Sequence, residues 1–245
     1  MSTNYNTIAT EYRASKMMPW RLHVEAYTFF QMTGALSGLS VLDLACGEGF
    51  YTRQLRANGA SEVVGVDISA EMIRLAQESE KTNPLGLTYH VQDVMFLNLS
   101  KKFDLVCAAY LLNYAKNPGE LEQMGRIIAE HLKPGGRFIT INSNPDYQGT
   151  VEAMFPYGFN RENKGKAEGT EIIYRLYQPG KQPIEVTNYH HAKDTHETAL
   201  KKAGFSDVWW HSLEVSSEGV EAFGKAHWEP LLTYQPVIGL SCTKL

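Results

Sequence analysis

Cysteine is scarce: the 245 residues hold three, an odd number with no metal-site spacing, which fits a reducing compartment. Basic runs are also missing. None exceeds the pairs Lys101-Lys102 and Lys201-Lys202, and the formal net charge is −4. Broad nucleic-acid binding, which relies on Lys and Arg to neutralise phosphates, is therefore not expected. No apolar stretch reaches the ~18 residues needed to span a membrane, and the first residues lack the basic-then-apolar pattern of a signal peptide. A cytoplasmic protein without a membrane partner is the expectation. Internal repeats and low-complexity tracts are absent too. What remains, at 43% hydrophobic and 20% charged, is enough for one large globular domain plus a cap.

The most informative stretch is Val41 to Thr52, VLDLACGEGFYT. An apolar strand feeds a tight loop, in which Gly47 and Gly49 let the backbone turn sharply and approach a ligand, and Phe50 to Asn58 reads as the helix that follows. A second apolar strand, Glu62 to Ile68, ends in Asp67, whose carboxylate can accept two hydrogen bonds from a ribose diol. A nicotinamide dinucleotide fold would share both features. Its fingerprint, however, needs three glycines around a pyrophosphate, and here the register that starts at Gly47 and Gly49 has Thr52 third, while the one that starts two residues earlier has Ala45 first. A ligand with a zwitterionic amino-acid tail needs no pyrophosphate space and would use Asp43 as the anion for its ammonium. S-adenosylmethionine fits that description.

His90-Val91-Gln92-Asp93-Val94 places Asp93 at another strand end, and Leu132 to Asn142 reads as a helix end, a Pro-Gly-Gly turn and a further strand. Asp43, Asp67 and Asp93 thus close three successive strands along one sheet edge. In these features the chain resembles the class I S-adenosylmethionine-dependent methyltransferases, most strongly from Val41 to Asn142. The resemblance implies that Asp43 and the Ala45 to Gly49 loop hold the methionine part, Asp67 the ribose, and Asp93 with the Val94 backbone the adenine. The implied cofactor set also takes in Cys46, Phe50, Tyr51, Ile68, Met72 and Ala109, with Tyr5 and Tyr12 from the N-terminal segment.

The organisation expected is one domain over residues 1–245: an aromatic helical cap (1–39), a cofactor-binding core (40–142), a substrate-covering β-excursion (143–193) and a C-terminal helix with the last two strands (194–245). The fold class is α/β, a doubly wound, seven-stranded, mostly parallel Rossmann-like sheet. Asn117-Pro118-Gly119-Glu120 signals a helix start, and Asp194 with Glu197 reads as a second capping box. Thr170 to Gln178 and Ile184 to His190 read as two excursion strands around Pro179-Gly180, and Val208 to Val215 and Val237 to Thr243 as the last core strands.

The acceptor is narrowed by subtraction. The place after the fourth strand, Cys107 to Tyr110, lacks the Pro-Pro segment of enzymes acting on base exocyclic amines. It also lacks the acidic ligands of metal-dependent catechol methyltransferases. A metal-free site remains, lined by Tyr12, Trp20, Arg21, Tyr110, Asn113, Tyr114, Asn144, Tyr157, Phe159, Tyr189 and His190, and suited to a small, flat or partly apolar acceptor. The run from Tyr5 to Arg21 is similar to the cap of bacterial natural-product methyltransferases, including the toxoflavin-type N-methyltransferases. His190, His191 and, behind them, Tyr110 are the candidate bases. Glu48 reads as solvated, as do most of the eight histidines, and Cys46 as a packing residue. The reading is therefore methyl transfer to a nitrogen or oxygen of a small molecule, by a monomer or homodimer. Methylation of protein or RNA, and a non-catalytic S-adenosylmethionine-binding module, are the alternatives.

Overall fold

Side chains alternate along the core strands, and the alternation makes two apolar faces. In β1 (Ser40–Leu44), Val41 joins one buried cluster while Leu42 and Leu44 join the other. In β4 (Phe103–Ala109), Leu105 and Cys107 separate from Val106 and Ala108 in the same way. Both faces are covered, which is why every residue of β1 is buried. A computed structural model describes residues 4–178 and 180–245; Pro179, expected at an excursion turn, lies outside them.

The main sheet has seven strands in the order β3-β2-β1-β4-β5-β10-β9. Strands β2 (Glu62–Asp67) and β5 (Leu132–Ser143) are parallel to their neighbours β1 and β4, and β3 (Thr88–Val91) is parallel to β2. β10 (Val237–Lys244) runs antiparallel between β5 and β9 (Phe205–His211). Helices α3 (Phe50–Ala57), α4 (Ala70–Thr82) and α5 (Pro118–Glu130) are the crossovers. This is the doubly wound α/β architecture expected.

Helix α5 starts where its signals place it, the Asn117 side chain accepting from the Glu120 amide at 3.0 Å. Helix α6 (Lys193–Lys202) does not use Asp194 as a cap. Glu168 does that work from the excursion, accepting from the Ala192 amide and the Thr195 hydroxyl, while Glu197 is turned to Trp210 and Lys201. The Pro-Gly-Gly segment is no free turn either. It is a bulge inside β5, where Leu132 to Arg137 faces only Phe103 to Leu105. β9 begins three residues before the expected Val208, because Phe205 fills the core beneath α5 and α6. It stops at His211, beyond which Glu214 binds Thr28.

Between β5 and α6 stands a second sheet of three antiparallel strands, β6 (Phe159–Asn163), β7 (Glu171–Leu176) and β8 (Ile184–Tyr189). The extra strand is β6, whose polar Asn160 and Arg161 are nonetheless buried. Helices α7 (Ser217–Phe223) and α8 (Lys225–Tyr234) precede β10. The N-terminal segment forms α1 (Ala9–Ser15), then a wide π-helical stretch, Arg21–Ala26, that runs into α2 (Tyr27–Thr33). No described helix is long and apolar enough to cross a membrane.

Candidate active site

At the carboxyl end of β1 the chain turns through three left-handed residues, Ala45 (φ 53°), Gly47 (φ 56°) and Gly49 (φ 85°), before α3 begins. A Cβ on Gly49 would run into the Tyr89 hydroxyl, so the third position has a steric as well as a conformational demand for glycine. Asp67 fixes the loop from β2: one carboxylate oxygen accepts from the Gly47 amide and the other from the Ser69 amide, each at 2.8 Å. Burial pushes Asp67 above its ordinary carboxylate value, against the pull of those two amides. Asp43, also buried, accepts from the Thr52 hydroxyl at 2.6 Å and from the Cys107 thiol. Burial carries its pKa to about 7.

Three cavities meet here, and Tyr12 of α1 lines all of them. The first, about 310 Å³, lies against Tyr5, Ala45, Gly47, Asp67, Met72 and Ala109. The second, of similar size, is bounded by Asp43, Cys46, Phe50, Tyr51, Glu48 and Lys16. The third, about 350 Å³, is walled by Trp20, Arg21, Tyr110, Tyr114, Tyr174, Leu176, Val186 and Asn188. Tyr110 and Tyr114 are shared by the first and third, so these two are neighbours. Tyr110 itself sits at φ 70°, a strained setting for a bulky residue at the end of β4.

The sequence reading missed the charged centre of this site. Glu25, fully buried on the π-helical stretch, accepts from the hydroxyls of Tyr51 and Tyr110. It also lies 3.7 Å from the Lys16 ammonium and 3.9 Å from the Arg21 guanidinium. Burial opposes its ionisation, but Arg21, Lys16 and the two hydroxyls outweigh that and hold Glu25 below the usual range. The Lys16 ammonium stands 5.0–6.0 Å from the ring centres of Tyr12, Phe50, Tyr51 and Tyr110. Glu48, expected to be solvated, is buried in the second cavity. No local pattern singles out a Lys or Glu of this kind, because their neighbours come from three separate elements.

Other expected residues are not in the linings of these three cavities. Asp93 is half-buried and caps the turn Val94–Phe96 through the Met95 amide, with Val94 behind it. Ile68 is 63% exposed beside Asp67. Tyr157 is held by the His227 carbonyl and stacks on Trp228, and Phe159 packs on the far side of Trp20, so neither lines the third cavity. Asn144 binds the Gln235 carbonyl, and Asn113, Tyr189 and His190 are buried outside that lining. His191 has both ring nitrogens engaged, Nδ1 with Glu168 at 2.6 Å and Nε2 with the Ala115 carbonyl at 2.9 Å. The histidine bases expected from the sequence are therefore not brought to the acceptor cavity. Burial also lowers His190 below its ordinary value. Tyr110 does line the cavity, but burial and Glu25 push its hydroxyl well up, so it stays protonated. Four of the histidines, His131, His190, His191 and His196, are buried rather than solvated.

The comparisons agree with this fold. Residues 41–136 match the family described as a methyltransferase domain. A ubiquinone biosynthesis O-methyltransferase of Coxiella burnetii is 31% identical over 166 residues, 66% of this chain and 69% of that protein. A ribosomal protein L11 methyltransferase of Burkholderia ambifaria is 36% identical over 100 residues, 41% of this chain and 30% of that one. Among solved structures, an S-adenosylmethionine-dependent methyltransferase from Mesorhizobium loti superposes with a TM-score of 0.66 at 20% identity, covering 94% of this chain and all of that one. The chain belongs to the class I S-adenosylmethionine-dependent methyltransferases, and it is an enzyme of that family.

Proposed function

We propose that this enzyme moves the methyl group of S-adenosylmethionine to a nitrogen or oxygen of a small, flat, partly apolar molecule, an aromatic or heterocyclic metabolite of the natural-product kind. The observation that carries the reading is the third cavity. It is small, walled by aromatic rings, and set between the N-terminal segment and the β6–β8 sheet, directly beside the cradle. The net charge of −4 weighs against a nucleic-acid partner, and the proposal is of a cytoplasmic monomer or homodimer without a membrane partner.

The residues present fit the cofactor. Asp67 would take the ribose diol, Asp43 the amino-acid ammonium and Lys16 the matching carboxylate, with Met72, Ile68, Asp93 and the Val94 backbone around the adenine. Ala45, Gly47 and Gly49 leave room for close backbone approach. When bound, S-adenosylmethionine supplies an electrophilic methyl on a sulfonium. The chain's own part is orientation: Tyr12, Ala109 and Tyr110 stand between cradle and acceptor cavity, exclude water and fix the line of approach. No metal and no histidine base enters this scheme. The test is an intact-mass comparison of cell-extract metabolites before and after incubation with the protein and S-adenosylmethionine. One small acceptor gaining one methyl group is expected; methylation of protein or RNA alone would contradict the reading.

A further inference from the structure

We infer that the acceptor is a planar ring acid, whose carboxylate is held by Arg21 in the third cavity; the inference rests on the small-molecule reading above. Arg21 is only 3% exposed, yet its Nε and Nη1 have no hydrogen-bond partner, the Glu25 carboxylate standing 3.9 Å from Nη1, beyond hydrogen-bond reach. Trp20, in the same lining and 2% exposed, leaves its Nε1 unpartnered as well, and so does the Nδ2 of Asn188, whose Oδ1 is engaged by Ser143. Every one of these orphaned atoms is a donor. Arginine and tryptophan carry no acceptor at all, so only a ligand that presents several acceptor atoms can satisfy them. Buried donors left unpaired are costly, and native interiors rarely keep them without a partner in the functional complex.

Charge decides between a neutral carbonyl and an anion. Two cations stand at this cavity: Arg21 in its lining, and Arg161, whose guanidinium carbon stands 5.7 Å from the ring of the wall residue Tyr174. Glu25 is the carboxylate that faces Lys16 and Arg21, and it already serves both of them and two tyrosine hydroxyls. Arg161, wholly buried, bonds only neutral oxygens, those of Asn163, Pro236 and Asn144. A carboxylate supplies the missing negative charge, and its two oxygens can serve separated donors. The rings of Tyr12, Tyr110, Tyr114 and Tyr174, with Leu176 and Val186, leave a slot suited to a flat ring behind it.

The experiment is calorimetry on the protein saturated with S-adenosylhomocysteine, using matched acid and amide pairs: benzoate and benzamide, nicotinate and nicotinamide, 2-naphthoate and 2-naphthamide. Within at least one pair the acid is expected to bind tenfold or more tightly than the amide. That preference should fall below threefold in Arg21→Gln and survive in part in Arg21→Lys. Trp20→Phe, which keeps the wall and removes one donor, should weaken the acid severalfold and leave the amide unchanged. Unaltered S-adenosylhomocysteine affinity reports that each variant is folded; if Arg21→Gln loses it, the Trp20→Phe comparison decides. Equal binding of acid and amide, or a preference undiminished in the folded variants, would overturn the inference. So would the failure of every pair to bind, and the extract assay above then shows separately whether the small-molecule reading stands.

Discussion

Ala45 is held at φ 53°, where the Cβ of an L-residue crowds the following carbonyl at a cost of about 1–2 kcal/mol. The freedom that glycine adds to the unfolded chain offsets about 0.5–1 kcal/mol of that. Ala45→Gly is therefore expected to stabilise the protein by up to about 1 kcal/mol in urea titration. A loss of more than about 1 kcal/mol would mean that the methyl group packs productively. Asp43 offers a titration to follow. Burial raises its folded-state pKa to about 7, above the ordinary 3.8, so the free protein keeps a proton that the unfolded chain has lost. Its contribution to stability is present below about pH 4 and is lost as pH rises through about 7. An ammonium arriving beside it would favour the carboxylate and expel the proton. Calorimetry of S-adenosylhomocysteine at pH 6 in buffers of different ionisation heat should show proton release, diminished in Asp43→Asn. Asp67, also raised by burial, accounts for what persists. Buffer-independent heats in the wild type would refute the assignment.

Among the elements, the π-helical stretch Arg21–Ala26 shapes the site most and was least visible beforehand. It carries Arg21 and Glu25 one wide turn apart on the buried side. Glu25→Gln removes the negative charge facing two buried cations and is expected to cost about 3–5 kcal/mol, read from the urea midpoint. A change below about 1 kcal/mol would show that Lys16 and Arg21 find other compensation. Nothing in the string RLHVEA announces this role, since beyond the Arg21–Glu25 pair itself the partners of Glu25, namely Lys16, Tyr51 and Tyr110, lie in other segments. β6 escaped for the same reason: Asn160 and Arg161 do not read as a buried strand, and the carbonyls that satisfy Arg161 belong to Asn144 and Pro236. By contrast β1, β2, α3 and α5 were legible because apolar periodicity, the glycine loop and the cap at Asn117 are local.

For the whole molecule, the mostly parallel core and the carboxylates at its strand ends follow from local signals, whereas the acceptor side depends on contacts between distant segments. His190 and His191 illustrate the limit. Adjacency to the excursion suggested bases, but Glu168 and the Ala115 carbonyl turn His191 into a strut. The site as a whole is a cradle and an aromatic-walled cavity meeting at Tyr12 and Tyr110. On the outer side of α1 lies a wide open groove, lined by Thr10, Arg13, Met17, Arg53 and Glu78, where a macromolecular acceptor would have to approach. A crystal structure with S-adenosylhomocysteine bound separates the two most directly. The account places the homocysteine between Asp43 and Lys16, the ribose on Asp67 and the sulfur facing Tyr110 and the aromatic-walled cavity; a sulfur facing the outer groove instead would contradict it.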